Sequence, residues 1–343
     1  IVSHSDHWMF LASNGGLSAG RVNSDHALFP YYTDDKITES AENTGSKTIV
    51  LVESEERQML WQPFSDQNRG VYSIQRNLYK NAYGNKVIFE EVNHDLALTF
   101  RYQWAASERY GFVRSARLES SAPTTTKVSV LDGVQNVLPF GVPEGLQRGS
   151  SNLVDAYKKC ELEEGHLGVY ALSAIISDKA EPSESLKANV VWSIGFDAPT
   201  VLLSSKQLQN FKVGNDLVTE TEIKAERGAY FIQSSFELEA HSGKDWMMVA
   251  NLGQSIRGVI RLKQDLQSPD ALKQEVLQDI EQGAHRLIEL VAASDGLQLT
   301  ADRRRNIRHF ANTMFNIMRG GIFDENYSIE REDFMAYIDR ANH

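Results

Sequence analysis

The sequence predicts a mainly β fold: a large antiparallel sandwich followed by an α-helical C-terminal segment. Three observations carry this. From Asp6 to about Ile260 apolar side chains recur with a period of two, in runs rich in Val, Ile, Thr, Tyr, Phe and Trp. Turn-forming clusters separate these runs. After Ser268 the apolar period becomes helical.

In chain order, strands are expected over 47–53, 86–92, 97–104, 127–131, 169–176, 188–196, 230–238 and 246–250. Between them, Asn14-Gly15-Gly16, Asn43-Thr44-Gly45, Tyr83-Gly84-Asn85, Gly214-Asn215-Asp216 and Ser242-Gly243-Lys244 can supply positive φ or an Asx turn. No helix of useful length is expected among these strands, which disfavours βαβ units and a parallel sheet. Ser268-Pro269 then reads as a cap with proline in the first turn, and Leu272, Val276, Ile280, Ala284, Leu287, Ile288 and Val291 form one helical stripe. Asp295-Gly296 ends that helix. A second is expected after Thr300, carrying Ile307, Phe310, Met314, Phe315 and Met318 up to Gly320-Gly321, and a third from about Ile329. The boundary between the β domain (1–262) and the helical segment (263–343) is placed near residue 262.

The chain of 343 residues carries 35 Lys+Arg against 46 Asp+Glu, a net charge of −11. Its longest basic block is Arg303-Arg304-Arg305, so a phosphate-backbone binder is disfavoured and no nucleic-acid partner is expected. No apolar run has the length of a membrane span, so no membrane partner is expected either. The single cysteine, Cys160, cannot form an intramolecular disulfide. The expected compartment is the cytoplasm, with the periplasm left open. Ile at position 1, in place of Met, reads as a processed product or an excised piece.

Most chemical motifs fail on context. Gly16-Leu17-Ser18-Ala19-Gly20 matches a nucleophile elbow, but no helical pattern follows it, so a glycine-rich turn region is the better reading. His4, Asp6, His7 and His26 are crowded but lack metal-site spacing. Asp324 to Glu330 begins like a calcium loop, yet Ile329 stands where glycine is required. Asn326-Tyr327-Ser328 fits a glycosylation sequon. No metal and no cofactor is assigned. The aromatic residues say more, because sugar rings stack on such faces while carboxylates and amides bind hydroxyls. Trp104, Trp192 and Trp246 lie in strands and are expected in the core. Trp61 and the segment with Tyr31, Tyr32, Asp34 and Asp35 are expected in irregular structure, which makes these five the candidate carbohydrate-binding residues.

The segments 14–21, 27–37 and 131–139 resemble the N-terminal part of large bacterial proteins related to cellobiose phosphorylase and cyclic β-1,2-glucan-processing enzymes. Residues 312–323 (Asn-Thr-Met-Phe-Asn-Ile-Met-Arg-Gly-Gly-Ile-Phe) resemble the helical linker of such enzymes. The resemblance implies a β-supersandwich similar in fold to galactose mutarotase, followed by an (α/α)6 barrel that carries the catalytic carboxylate. That barrel would begin about where this chain stops, so the resemblance transfers no catalytic residue here. It implies a non-catalytic, carbohydrate-associated module, giving a wall of a substrate cleft or a surface for a homodimer, with an oligosaccharide and the barrel as partners. Two alternatives are a self-contained aldose epimerase, with His94 or His241 paired to a glutamate such as Glu237, and a serine esterase using Ser18.

Overall fold

A computed structural model describes residues 1–53, 58–67, 69–174, 186–320 and 328–341. The chain begins with three short strands, β1 (His7–Leu11), β2 (Leu17–Arg21) and β3 (Ala27–Phe29), then a single turn of helix, α1 (Lys36–Glu39). There follow β4 (Gly45–Glu53), β5 (Gln58–Trp61), β6 (Ile74–Lys80), β7 (Lys86–Asn93), β8 (Leu98–Ser107), β9 (Gly111–Ser120) and β10 (Thr126–Val137). After α2 (Glu144–Tyr157) come β11 (Lys158–Glu163), β12 (Leu167–Leu172), β13 (Lys187–Ile194) and β14 (Thr200–Leu202). Then α3 (Leu208–Lys212), β15 (Glu222–Lys224), β16 (Gly228–Leu238) and β17 (Gly243–Ser255) complete the β region. The C-terminal helices are α4 (Ile256–Asp265), α5 (Pro269–Ala293), α6 (Arg303–Met318) and α7 (Arg331–Ala341).

Each strand read from the sequence is present. The last residues of the 169–176 run, Gly321 and the sequon at Asn326 lie outside the described residues, as does most of the 324–330 stretch. Two helices depart from expectation. α2 interrupts the β region: Val154, with Leu146 and Tyr157, packs against Val142 and Leu172, but Gly145, Gly149 and the non-helical Ser150 break the pattern that would announce it. α4 follows β17 without a turn, and its β-branched residues read as strand; Ser255 caps it by accepting the amide of Gly258 at 3.3 Å. Residue 262 falls inside α4.

All strand pairs among the described residues are antiparallel. A five-stranded sheet, ordered β14-β16-β10-β4-β5, packs on a nine-stranded one, ordered β15-β11-β12-β13-β17-β9-β8-β7-β6. Alternation decides what faces what. Val128, Val130 and Val134 of β10 enter the shared core with Phe100, Trp104, Phe112, Trp246 and Met248, whereas Leu131 faces outward under Phe211 of α3. The small β1-β2-β3 sheet closes the core with Met9, Leu17, Ala19, Leu28 and Phe29.

The outer face of the nine-stranded sheet is split. One part is apolar: Val190, Trp192, Met247 and Val249 pack under Leu272, Val276 and Ile280 of α5. The other bears polar and charged side chains in register across five strands, Asn77, Glu90, Arg101, Arg117 and Asp245, each opposite the next. Arg101 and Arg117 are like charges set side by side, which alone would destabilise the pairing. Glu119 resolves this by bridging both, at 2.9 Å and 2.6 Å. At its far end α5 turns Leu287 and Val291 onto Phe310 and Met314 of α6. Asp302 caps α6, accepting the amides of Arg304 and Arg305. No described helix is long and apolar enough to cross a membrane.

Candidate functional site

Ser18, the second residue of β2, is fully buried. Its hydroxyl donates to the Pro30 carbonyl at 2.7 Å and accepts the Tyr32 amide at 3.1 Å, so it fixes the chain where it leaves β3. A serine used in this way is a structural anchor, which removes the esterase reading. The anchored chain presents Tyr31 to the outer side of β1.

There Tyr31 meets Trp8 edge to face, with ring centroids 5.2 Å apart, and lies 6.3 Å from Phe10. Trp8 and Phe10 alternate with buried Met9, so both point away from the core. The indole Nε1 of Trp8 donates to the Asn23 carbonyl at 3.0 Å. The ring lies over Gly20, where a Cβ would come within 2.4 Å of it; only glycine allows this approach. Phe10 remains 43% exposed. The result is a half-open aromatic platform of three rings. Next to it in the chain, Tyr32 stacks under the Lys36 ammonium at 5.9 Å, and the carboxylates of Asp34 and Asp35 stand in solvent at the start of α1. Asp34 also accepts the Lys36 amide at 3.1 Å.

Of the five residues read from the sequence, Tyr31, Tyr32, Asp34 and Asp35 share this segment, and Trp61 does not. Trp61 ends β5 opposite Val50, is 2% exposed, and donates its Nε1 to Glu91 at 2.8 Å. It is a core residue with no free face for a sugar. Trp104, Trp192 and Trp246 are buried as expected. Trp8 and Phe10 were absent from the candidate set. The signal for them was present: β1 is apolar on both faces, although one face of such a short edge element must meet solvent.

The crowded N-terminal side chains go to separate partners. His4 bonds Glu108 at 3.3 Å, Asp6 pairs with Arg21 at 2.7 Å, and His26 bonds Asn23 at 2.8 Å. Among the described residues no group of three or more His, Cys, Asp and Glu is placed to hold a metal ion. His7 packs edge-on against Phe112, and its Nε2 is buried without a partner. Burial, helped by nearby Arg21, holds its pKa down to about 4. The unfolded chain therefore takes up this proton below about pH 6.5 while the native state does not, so stability falls as pH drops from there toward 4. This loss is expected to reach roughly 3 kcal/mol. Urea titrations across that range check it: His7→Gln should flatten the pH slope by about one proton, and an unchanged slope would contradict the assignment.

His94 and His241 sit exposed on the β7–β8 and β16–β17 turns, and Glu237 is exposed on β16, 3.8 Å from Lys127. None of the three bonds another among the described residues, so they form no acid/base pair.

No protein-family model matches this sequence, and no curated protein does. Solved structures do resemble it. A bacterial glucoamylase complexed with acarbose aligns over 93% of this chain and 38% of its own, at 9% identity and a TM-score of 0.47. A human-microbiome protein described as a kojibiose phosphorylase aligns over 91% of this chain and 35% of its own, at 8% identity and a TM-score of 0.44. A galactose mutarotase-like protein from Clostridium acetobutylicum covers 74% of this chain and 94% of its own, at 6% identity and a TM-score of 0.39. These are likenesses of fold. The chain spans little more than a third of the first two proteins.

Proposed function

We propose that this chain is a non-catalytic, carbohydrate-associated module of a larger glycoside hydrolase or phosphorylase, in which an (α/α)6 barrel carries the chemistry. The observation that carries the reading is the platform of Trp8, Phe10 and Tyr31, three rings held half-open, with the exposed Asp34 and Asp35 following Tyr31 in the chain. Aromatic faces take the apolar faces of sugar rings, and flanking carboxylates accept their hydroxyls. The segments that resemble cellobiose phosphorylase-related proteins include Tyr31, Asp34 and Asp35, but not Trp8 and Phe10. α6 leaves Ile307, Phe315 and Met318 uncovered, the kind of face a following helical domain buries. The epimerase alternative lacks a paired acid and base among His94, His241 and Glu237.

Calorimetry with neutral gluco-oligosaccharides tests the reading. Phe10→Ala and Tyr31→Ala are each expected to weaken binding about tenfold, some 1.4 kcal/mol, with little change in melting temperature. Unchanged affinity in both variants would count against the platform, and a parent chain that binds no oligosaccharide would count against the function.

A further inference from the structure

The segment from Tyr31 to Asn43 leads from the aromatic platform to a separate feature, an open polar cleft of about 500 Å³ at the loop end of the five-stranded sheet. Its volume is in the range of small-molecule sites. The cleft is built around a bulge in β10, where pairing with β16 shifts register between Gln135 and Val137. The extra residue, Asn136, adopts a left-handed conformation with φ 57°, and is only 8% exposed. Bulges re-aim a side chain, and a non-glycine residue held in this region costs energy that the surrounding structure must offset. The Asn136 amide nitrogen donates to the Thr44 hydroxyl at 3.0 Å, while its oxygen has no protein hydrogen bond among the described residues.

The cleft lining carries two cations, Lys206 and Arg227, and two anions, Asp155 and Glu226, so it has no net charge. Lys206 meets Glu226 at 2.6 Å. Arg227 stands 3.9 Å from Asp155, whose closer partner is the buried Lys158 at 2.8 Å. Arg227 therefore keeps its donors free, beside the free acceptor of Asn136 and the amide of Asn43. An ion of either sign gains little from a lining without net charge. A molecule whose groups both donate and accept gains from cations and anions alike. Among the described residues no aromatic side chain lines the cleft, so recognition there would be by hydroxyl edge and not by stacking.

We infer that this cleft is a second carbohydrate subsite, binding a neutral sugar unit through its hydroxyls on Asn136, Arg227 and Glu226. The inference rests on the carbohydrate reading above. The experiment is calorimetry on the full chain with short neutral gluco-oligosaccharides, with glucuronate and inorganic phosphate as charged comparators. The exposed double variant Glu226→Ala/Arg227→Ala is expected to lower affinity at least about tenfold. Asn136→Gly, which keeps the left-handed backbone and removes the amide, is expected to act in the same direction. Cleft variants that bind like the parent, while Tyr31→Ala loses affinity, would overturn the subsite and leave the functional reading standing. Tighter binding of glucuronate or phosphate than of neutral sugar would also overturn it. A parent chain that binds none of these sugars overturns both.

Discussion

A chain ending at Ser268 is expected to be insoluble, or to melt far below the full-length protein. α5 lays Leu272, Val276 and Ile280 on the outer face of the nine-stranded sheet, against Val190, Trp192, Met247 and Val249. Burying one such aliphatic side chain is worth about 1.5–3 kcal/mol, so these three contribute on the order of 5 kcal/mol before the sheet's own side chains are counted. Domains of ordinary size have only about 5–15 kcal/mol of net stability. The bared strands would also expose a contiguous apolar patch, which promotes association. Val259 and Leu262 of α4 pack on the same cluster, so a chain cut after Ser255 should fare worse than one cut after Ser268. Light scattering and thermal melts decide the matter. A truncated chain that stays monomeric and keeps its melting temperature would show that α5 is not part of the β domain's core.

The extent to which the sequence discloses this molecule follows the range of the interactions. Strands such as β4 and β13 are legible because alternation is a local property, and α5 because its stripe and its Pro269 are local too. Trp61 was misassigned because what buries it is distant: its partner Glu91 is thirty residues away, on another sheet. The Trp8–Phe10–Tyr31 platform depends on a close approach to Gly20 and on a turn anchored by Ser18, neither of which a linear pattern displays. The candidate segment at Tyr31 to Asp35 was found from residue type and loop context alone. The polar cleft was not, since its lining comes from five stretches of chain that only the folded structure brings together.

Replacing Asp132 by alanine is expected to cost about 3–5 kcal/mol of unfolding free energy, because it strands a buried guanidinium. Asp132 and Arg114 are both fully buried between the two sheets. The pairing is bidentate, at 2.5 Å and 2.9 Å. Asp132 also accepts from Thr48 and from the Trp246 indole, both at 2.6 Å. Ser46 accepts from Arg114 at 3.1 Å, and the guanidinium lies 4.5 Å from the centre of the Tyr102 ring. Each charged atom is thereby satisfied, which makes the pair tolerable in the core but does not make it a large net source of stability. The alternation of β10 already requires this network, since Asp132 shares the inward face with Val130 and Val134, where a carboxylate without partners would be prohibitive. It follows that the loss on single substitution measures the abandoned partner and not the worth of the pair. The apolar double variant Arg114→Met/Asp132→Leu should accordingly cost less than Asp132→Ala alone, a strongly non-additive result in a double-mutant cycle followed by urea unfolding. Additive losses, or an Asp132→Ala chain within about 1 kcal/mol of the parent, would mean that water reaches the pair and that the core between the sheets is not closed there.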